Sequence, residues 1–211
     1  MSSLPRHLAP SPPRTMKLRS DLRVISALVP EGSRILDLGC DDGELLEFLI
    51  EKKKARGSGI ELSEKGVLAC VRRGLSVRQG NIEEGLADYP DGSLDVVILS
   101  QTLPFLNNPS EIINEMLRVG TCAIVSFPNW GYWRCRLEFL ITGRVPQYPG
   151  FEQEWDGEKR WQWFTLSDFE DLAQWIDVKI EDRVYLEGNQ RIEKWARWRA
   201  RTAVYALTKK D

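Results

Sequence analysis

Short apolar runs alternate with helix-like stretches along the first part of the chain. Residues 35–40 (ILDLGC) form a nearly continuous apolar run, which predicts a strand buried on both faces. After a turn at residues 41–43, apolar residues recur at the spacing of one helix face, namely Leu45, Leu46, Leu49 and Ile50. Another helix is predicted at residues 18–28, before the strand at residues 35–40, and Pro30 and Gly32 end this helix.

The same unit repeats as far as residue 127. Further apolar runs predict strands at residues 57–61, 75–79, 94–99 and 122–127, with helical patterns between them. Helices of about ten residues between such strands imply right-handed βαβ units. The pattern therefore predicts an α/β fold with a doubly wound, Rossmann-like, mostly parallel sheet.

The pattern changes beyond Pro128. Ser167 is predicted to cap a helix that runs to Trp175, because Ser is a preferred N-cap residue. Apolar residues at 178–185 and 202–208 predict two more strands, for a total of seven. Since antiparallel partners need no helical crossover, we expect these two strands to form a hairpin-like edge of the sheet.

All eight tryptophans lie between residues 130 and 198, and the densest aromatic region spans about residues 130–165. This insert could cover a ligand site, form a surface for a protein partner, or fill a local core. Its aromatic members include Trp130, Tyr132, Trp133, Tyr148, Phe151, Trp155, Trp161 and Trp163.

The chain has 211 residues, which suits one domain at residues 16–211. Residues 1–15 contain four prolines and few apolar residues, so we expect a disordered tail that can be deleted without changing the melting temperature. His7 in this tail is the only histidine of the chain. Catalysis by a histidine base is therefore not expected.

Charge and cysteine content narrow the partners further. The 29 basic and 31 acidic residues give a net charge of -2, so we expect no nucleic acid partner. No apolar run approaches the roughly 20 residues that cross a bilayer, so we expect no membrane partner. The four cysteines form no C-x-x-C pair, which predicts neither a metal site nor disulfides and favours a cytoplasmic location.

The ends of the predicted strands carry the candidate chemistry, because open parallel sheets bind ligands at their carboxyl ends. Gly39 and Gly43 permit close approach of a ligand to the backbone, and Glu61 can accept hydrogen bonds from ribose hydroxyls. Asn81 can pair with an adenine edge. The alternative for each residue is a purely structural role in a turn or strand end. The full predicted cofactor site comprises Asp37, Gly39, Cys40, Asp41, Gly43, Glu61, Leu62, Asn81, Ile82, Ser100 and Gln101.

Between about residues 34 and 127 the chain resembles class I S-adenosylmethionine-dependent methyltransferases, and more closely the methionine-biosynthesis protein W (MetW) family. The closer resemblance rests on ILDLGCDDGELL, GSGIELSEKGVLACVRRGLSVRQGNIEEGLADYPDGSLDVVILSQTL, NEMLRVG and AIVSFPNWGYWRCRL. It implies the class I methyltransferase fold with an antiparallel last strand. It also implies S-adenosylmethionine or S-adenosylhomocysteine as cofactor and homoserine O-acyltransferase as partner.

Two positions depart from the family pattern. Asp41 stands where the glycine-rich loop normally has glycine, and its charge could pair with the ammonium of the cofactor or repel its carboxylate. The histidine that often precedes the Thr-x-x-Asp-Phe-Glu segment is absent from residues 161–170.

Two functions remain open from the sequence. One is an accessory subunit that activates homoserine O-acyltransferase, and the other is a methyltransferase acting on a small molecule. An Asn/Asp-Pro-Pro-Tyr loop is replaced by Ser100-Gln-Thr-Leu-Pro104, so no acceptor chemistry or catalytic residue is recognisable. A dehydrogenase is disfavoured because the loop fails the G-x-G-x-x-G pattern at Asp41 and Glu44.

Overall fold

The computed structural model describes residues 18–146 and 161–210. The predicted N-terminal tail and the middle of the aromatic insert lie outside these residues. Seven helices are described: α1 (Ser20–Leu28), α2 (Glu44–Lys53), α3 (Glu64–Arg72), α4 (Pro109–Val119), α5 (Trp133–Thr142), α6 (Leu166–Trp175) and α7 (Ala196–Arg199). Eight strands are described: β1 (Arg34–Leu38), β2 (Arg56–Glu61), β3 (Val77–Gln79), β4 (Leu94–Ser100), β5 (Gly120–Pro128), β6 (Val178–Glu187), β7 (Gln190–Ile192) and β8 (Thr202–Lys209).

The strands form one sheet in the order β3-β2-β1-β4-β5-β8-β6-β7. Strands β1 to β5 pair in parallel, whereas β8 pairs antiparallel with both β5 and β6. The doubly wound, mostly parallel sheet with an antiparallel last strand is thus confirmed. The reversal of strand order between β1 and β4 places the carboxyl ends of β1, β2 and β4 along one crevice.

The C-terminal strands differ in two respects from the prediction. The short strand β7 is an eighth strand that forms the sheet edge with β6. The two predicted strands, β6 and β8, pair antiparallel as expected, but they are not a hairpin at the edge, since β8 lies inside the sheet between β5 and β6. Burial of β8 on both faces fits this inner position, because its consecutive residues 203–207 are all buried.

Helices cover both faces of the sheet. Alternate residues of β1 and β4 point to opposite sides: Ile35 and Ile98 pack in the cluster that contains α1 and α2, and Leu36 and Leu99 pack in the cluster that contains α4 and α6. This two-sided burial is what the continuous apolar runs predicted. None of the described helices is long and apolar enough to span a membrane.

The N-cap of α6 lies two residues earlier than predicted. Thr165 Oγ1 accepts a hydrogen bond from Asp168 N at 3.2 Å, and Asp168 Oδ2 accepts one from Thr165 N at 2.9 Å. This reciprocal capping box makes Thr165 the N-cap, so the prediction of Ser167 was wrong. Ser167 lies inside the first turn as the second residue of the helix.

Candidate functional site

The loop between β1 and α2 has three residues with left-handed backbone geometry. Gly39, Asp41 and Gly43 have φ values of 71°, 48° and 78°. A Cβ atom on Gly39 would lie 2.6 Å from Thr102 Oγ1, and one on Gly43 would lie 2.5 Å from Leu75 Cδ1. A Cβ atom at either glycine would force a neighbouring side chain to move and would also strain the backbone, whereas Asp41 shows that the middle position accepts a side chain.

Glu61 connects this loop to the end of β2. Its Oε2 accepts a hydrogen bond from Asp41 N at 3.0 Å, and its Oε1 accepts one from Ser63 N at 2.8 Å. Gly66 of α3 permits this approach, because a Cβ atom there would lie 2.7 Å from Glu61 Cγ. Glu61 thus fixes the loop and still has lone pairs for a ligand hydroxyl.

Asp37 is a buried carboxylate on β1, with 2% of its surface exposed. Within the described residues, its Oδ1 atom has no hydrogen-bond partner. Loss of solvent raises the pKa of Asp37 to about 7, and the negative charge of Glu61 adds to this effect while Arg19 opposes it. A buried oxygen without a partner favours a ligand that donates a hydrogen bond or carries positive charge.

A cavity of about 740 Å³ opens at this end of the sheet. Of the predicted site residues, it is lined by Asp37, Gly39, Cys40, Asp41, Ser100 and Gln101. Gly43 ends the adjacent loop as the residue before α2, and Glu61 contacts that loop through its hydrogen bonds.

The other predicted residues lie at the ends of β2 and β3. Leu62 is 64% exposed, and Ile82 is buried in the core. Asn81 Oδ1 accepts a hydrogen bond from Glu83 N at 3.0 Å and so begins a 3₁₀ turn at Ile82–Glu84. This is the structural alternative considered for Asn81, and its role toward adenine stays a prediction.

The structure adds lining residues that sequence reasoning did not identify. They come from the start of α1, the turn after β4, the turn between β6 and β7, and the start of β8, and include Arg19, Thr102, Phe105, Asn189 and Arg201. They share no motif and are brought together only by the strand order. The end of β4 could have been extended from Gln101 to Thr102, since that strand end was already singled out.

Gln101 has unusual backbone geometry for a residue with a side chain, with φ of 58°. Its N–H donates to Ser126 O at 2.9 Å, and its Nε2 donates to Ser126 Oγ at 3.2 Å. These bonds to buried β5 hold the left-handed conformation. The turn after β4 is therefore fixed beside the cavity.

Two cysteines pack beneath the loop. Cys40 Sγ lies 3.8 Å from Cys70 Sγ, and both residues are buried. Burial raises the pKa of both thiols. Within the described residues, no group of three or more His, Cys, Asp or Glu side chains is arranged to hold a metal ion.

Comparison with known proteins identifies the family. The family model of methionine biosynthesis protein MetW matches residues 19–207. The chain belongs to the MetW family. A bifunctional methionine biosynthesis protein MetXA/MetW from Rhodopirellula baltica is 35% identical over 195 residues, which cover 87% of this chain and 31% of that protein.

A second curated relative of this MetW-family chain is a ubiquinone biosynthesis O-methyltransferase from Dechloromonas aromatica. It is 37% identical over 94 residues, which cover 42% of this chain and 40% of that protein. The chain thus spans less than half the length of both relatives.

Solved structures show the same fold. A SAM-dependent methyltransferase from Thermotoga maritima has a TM-score of 0.66 at 19% identity, with 90% of this chain and 88% of that chain covered. An S-adenosylmethionine-dependent methyltransferase from Mesorhizobium loti has a TM-score of 0.67 at 13% identity, with coverage of 92% and 100%. The MetW-family chain therefore has a class I methyltransferase fold.

Proposed function

We propose that this chain binds S-adenosylmethionine or S-adenosylhomocysteine and acts as an accessory subunit that activates homoserine O-acyltransferase in methionine biosynthesis. The observation that carries the proposal is the MetW match over residues 19–207, together with a relative whose single chain carries both names, MetXA and MetW. Fusion of two proteins into one chain is expected when the two act together.

The cavity fits the proposed cofactor. Asp37 offers a buried oxygen without a partner to the cofactor ammonium, and Glu61 offers lone pairs to the ribose hydroxyls. Gly39 leaves the loop open to close approach. When bound, S-adenosylmethionine supplies an electrophilic methyl group on a sulfonium. Calorimetric titration with each compound tests this half of the proposal, and absence of binding at millimolar concentration would contradict it.

The partner is proposed to contact the exposed apolar side chains of α5. This helix follows the carboxyl end of β5 and exposes Leu137, Phe139, Leu140 and Ile141, with Leu140 81% exposed. A run of exposed apolar side chains on a helix is typical of a protein interface. The relative whose name joins MetXA to MetW supports an acyltransferase as the partner proposed to cover this surface.

A variant of this helix tests the partner half of the proposal. Leu140→Asp places a charge on the proposed interface, and it should leave folding intact because the side chain makes little contact with the domain. We expect Leu140→Asp to abolish co-elution with homoserine O-acyltransferase and the increase in acyl-transfer rate that the native chain gives. Such a charge in an interface core typically costs about 2 kcal/mol or more.

Trp175→Asp is the matched control. Trp175 is 76% exposed and ends α6, just before β6. The start of β6 lies toward the amino end of β5, whereas α5 follows the carboxyl end of β5. Trp175→Asp should leave co-elution with homoserine O-acyltransferase unchanged. Equal loss of the complex in both variants would contradict an interface on α5. Arg136→Ala is unsuited to this test, because Arg136 Nε donates to Gly131 O at 2.6 Å within the domain.

A methyltransferase acting on a small molecule is the second candidate. It is favoured by the part of the cavity beyond the loop, which Phe105, Asn189 and Arg201 line. Methyl transfer can proceed mainly by positioning the acceptor, so the lack of a recognisable base does not exclude it. Formation of S-adenosylhomocysteine from S-adenosylmethionine and a small acceptor, without any partner protein, would favour this candidate over the accessory subunit.

A further inference from the structure

The helix α5 carries most of its large apolar side chains along one side. Residues that are three, four or seven positions apart share a side of a helix, so the set forms a single stripe. The stripe consists of Trp133, Leu137, Leu140 and Ile141. Their exposed fractions are 37%, 43%, 81% and 73%, in that order. The stripe is therefore most accessible in the last turn of the helix.

The opposite side of α5 faces the domain. Among the ten described residues of this helix, Cys135 alone is buried. Phe139 follows Cys135 by about one turn and so lies on the same side of the helix, although it is 55% exposed. A partner can therefore reach the stripe without displacing the domain from α5, and Phe139 is an exposed apolar residue that lies outside the stripe.

Three arginines lie beside or beyond the stripe. Arg134 lies over the Trp133 ring at 5.3 Å, and Arg136 lies over the Trp198 ring at 5.0 Å. Arg144 follows the end of the helix. Among the described residues, none of these guanidinium groups has a carboxylate within 4.0 Å. Residues 133–144 contain these three arginines and one glutamate, which leaves a net charge of +2.

The described charges next to α5 do not cancel this positive charge. Arg201 lies over the ring of Tyr132, the residue before α5, at 5.9 Å. The two arginines of α7 form ion pairs with acidic residues of α6 and β6, as Arg197 with Glu170 and Arg199 with Glu187. These neighbours are basic or already paired. A partner that meets the stripe is therefore favoured if it carries acidic groups around the contact.

We propose that α5 inserts into an apolar groove with an acidic rim on homoserine O-acyltransferase, with Leu137, Leu140 and Ile141 entering the groove. The inference rests on the proposed partner and specifies how that partner recognises this chain. An exposed apolar stripe at helical spacing is the arrangement by which a helix binds in a groove. Arginines that are held over tryptophan rings have less conformational freedom to lose, so they pair with an acidic rim at a lower entropic cost.

The first test compares aspartate substitutions on two sides of the same helix. Homoserine O-acyltransferase is titrated calorimetrically with the native chain, Leu137→Asp, Ile141→Asp and Phe139→Asp. We expect Leu137→Asp and Ile141→Asp to weaken binding at least about tenfold, the loss typical of a central contact. Phe139→Asp is the matched control, because it places the same charge on the side of Cys135. It should change the affinity by less than about threefold.

The second test reverses one charge beside the stripe. Arg134→Glu should weaken the complex about fivefold at low salt and by less at high salt, because salt screens the attraction to the acidic rim. Lys52→Glu is the matched control near the end of α2, which lies at the amino ends of the parallel strands, whereas α5 follows the carboxyl end of β5. It should bind as the native chain does. Equal weakening in both variants would show that overall charge, and not a rim around α5, attracts the partner.

Further outcomes separate the recognition mode from the choice of partner. Native affinity in Leu137→Asp and Ile141→Asp, or an equal loss in Phe139→Asp, would overturn binding through one side of α5 and leave the partner standing. If the native chain forms no complex with homoserine O-acyltransferase, the proposed partner fails and the groove fails with it.

Each variant is also measured without the partner, by size-exclusion chromatography and thermal unfolding. We expect the native elution volume and melting temperature. A native dimer that Ile141→Asp dissociates would assign the stripe to a second copy of this chain. A melting temperature lowered only in the stripe variants would show that the stripe packs within the chain itself. Either result would overturn insertion of α5 into a groove of the partner.

Discussion

The loop end of the sheet and the aromatic end beyond β5 differ in how their side chains are used. At the loop, Gly39 and Gly43 have no room for a Cβ atom, and Glu61 is bound to two backbone N–H groups. On α5, Leu140 and Ile141 are 81% and 73% exposed. The first region is packed around a cavity, and the second exposes apolar side chains on its surface.

Between the two regions, aromatic residues form an ordinary core. The Phe127 ring stacks on Tyr205 at 5.8 Å between centroids and contacts Phe169 at 4.8 Å. All three side chains are fully buried. Because they join β5, β8 and α6, both regions rest on the same rigid sheet.

The aromatic residues of the insert lie in three kinds of environment, namely the buried core, the exposed surface and the side of the cavity. Trp130 and Tyr132 are buried core residues, whereas Trp133 and Trp163 are substantially exposed. Trp161 packs edge-on against Phe105, a cavity-lining residue, at 5.4 Å. Tyr148, Phe151 and Trp155 lie outside the described residues. Sequence alone could not make this division, because burial depends on which elements the sheet order brings together.

The largest expected effect on stability comes from replacing Asp37. A buried carboxylate oxygen without a partner is expected in a binding cavity and not in an apolar core. Its pKa is about 7 in the folded chain and 3.8 when exposed, so the folded state binds more protons than the unfolded state between pH 4 and 7. The free energy of unfolding therefore falls as pH rises through this window, by about 4 kcal/mol at most. Asp37→Asn should remove this slope and stabilise the ligand-free chain by about 3 kcal/mol at pH 8, measured by urea unfolding.

Asp95→Asn is the opposite case on the neighbouring strand. The hydrogen bonds from Arg34 lower the pKa of Asp95, so its contribution to stability is present above the ordinary aspartate pKa and is lost as pH falls through its lowered value. Replacement of Asp95 should destabilise the chain slightly near neutral pH.

The outcome that would contradict the Asp37 prediction is a fall in stability at pH 8 in Asp37→Asn. Such a fall would show that a partner within the protein satisfies Asp37.

A second prediction separates two costs of replacing a loop glycine by alanine, namely steric contact of the added Cβ atom and strain of the left-handed backbone. Gly39 and Gly32 have φ of 71° and 77°, but only Gly39 lacks room for a Cβ atom. Gly32→Ala should cost about 1 kcal/mol from the left-handed backbone alone. Gly39→Ala should cost about 3 kcal/mol, because Thr102 must also move. Thermal unfolding measures both, and equal costs would contradict a closely packed loop. When Thr102 is also replaced by alanine, the costs of Gly39→Ala and Gly32→Ala should become more similar, because the blocking side chain is shortened.

A third prediction concerns the ligand affinity that Glu61 supports. Glu61→Ala removes a charged acceptor and the bonds to Asp41 N and Ser63 N, so we expect affinity for S-adenosylmethionine to fall by about 2 kcal/mol. Glu61→Gln keeps one acceptor oxygen and should lose less. Leu140→Asp on α5 is the control from the other region and should leave this affinity unchanged in calorimetric titration. Equal loss in the α5 variant would show that the two regions are coupled.

Features that depend on the local sequence were predictable, and features that depend on contacts between distant parts of the chain were not. The strands from β1 to β5 and the loop glycines were predictable, because apolar runs and turn residues are local signals. The lining residues Arg19, Asn189 and Arg201 were not, since they reach the cavity only through the strand order. The inner position of β8 was also missed, because two neighbouring antiparallel strands do not reveal which of them joins the parallel sheet.

The smallest effect is expected at the start of α6, where sequence and structure name different caps. Thr165 makes the reciprocal bonds with Asp168, whereas Ser167 lies within the first turn. Thr165→Ala should lower the free energy of unfolding by about 1 kcal/mol, the usual cost of losing an N-cap side chain. Ser167→Ala should change it by less than about 0.5 kcal/mol, because it removes no cap. If urea unfolding ranks the two variants the other way, the helix begins at Ser167 and the segment from the aromatic insert enters α6 differently. Because α6 packs Phe169 against Phe127 and Tyr205, that change would also alter the core on which both functional regions rest.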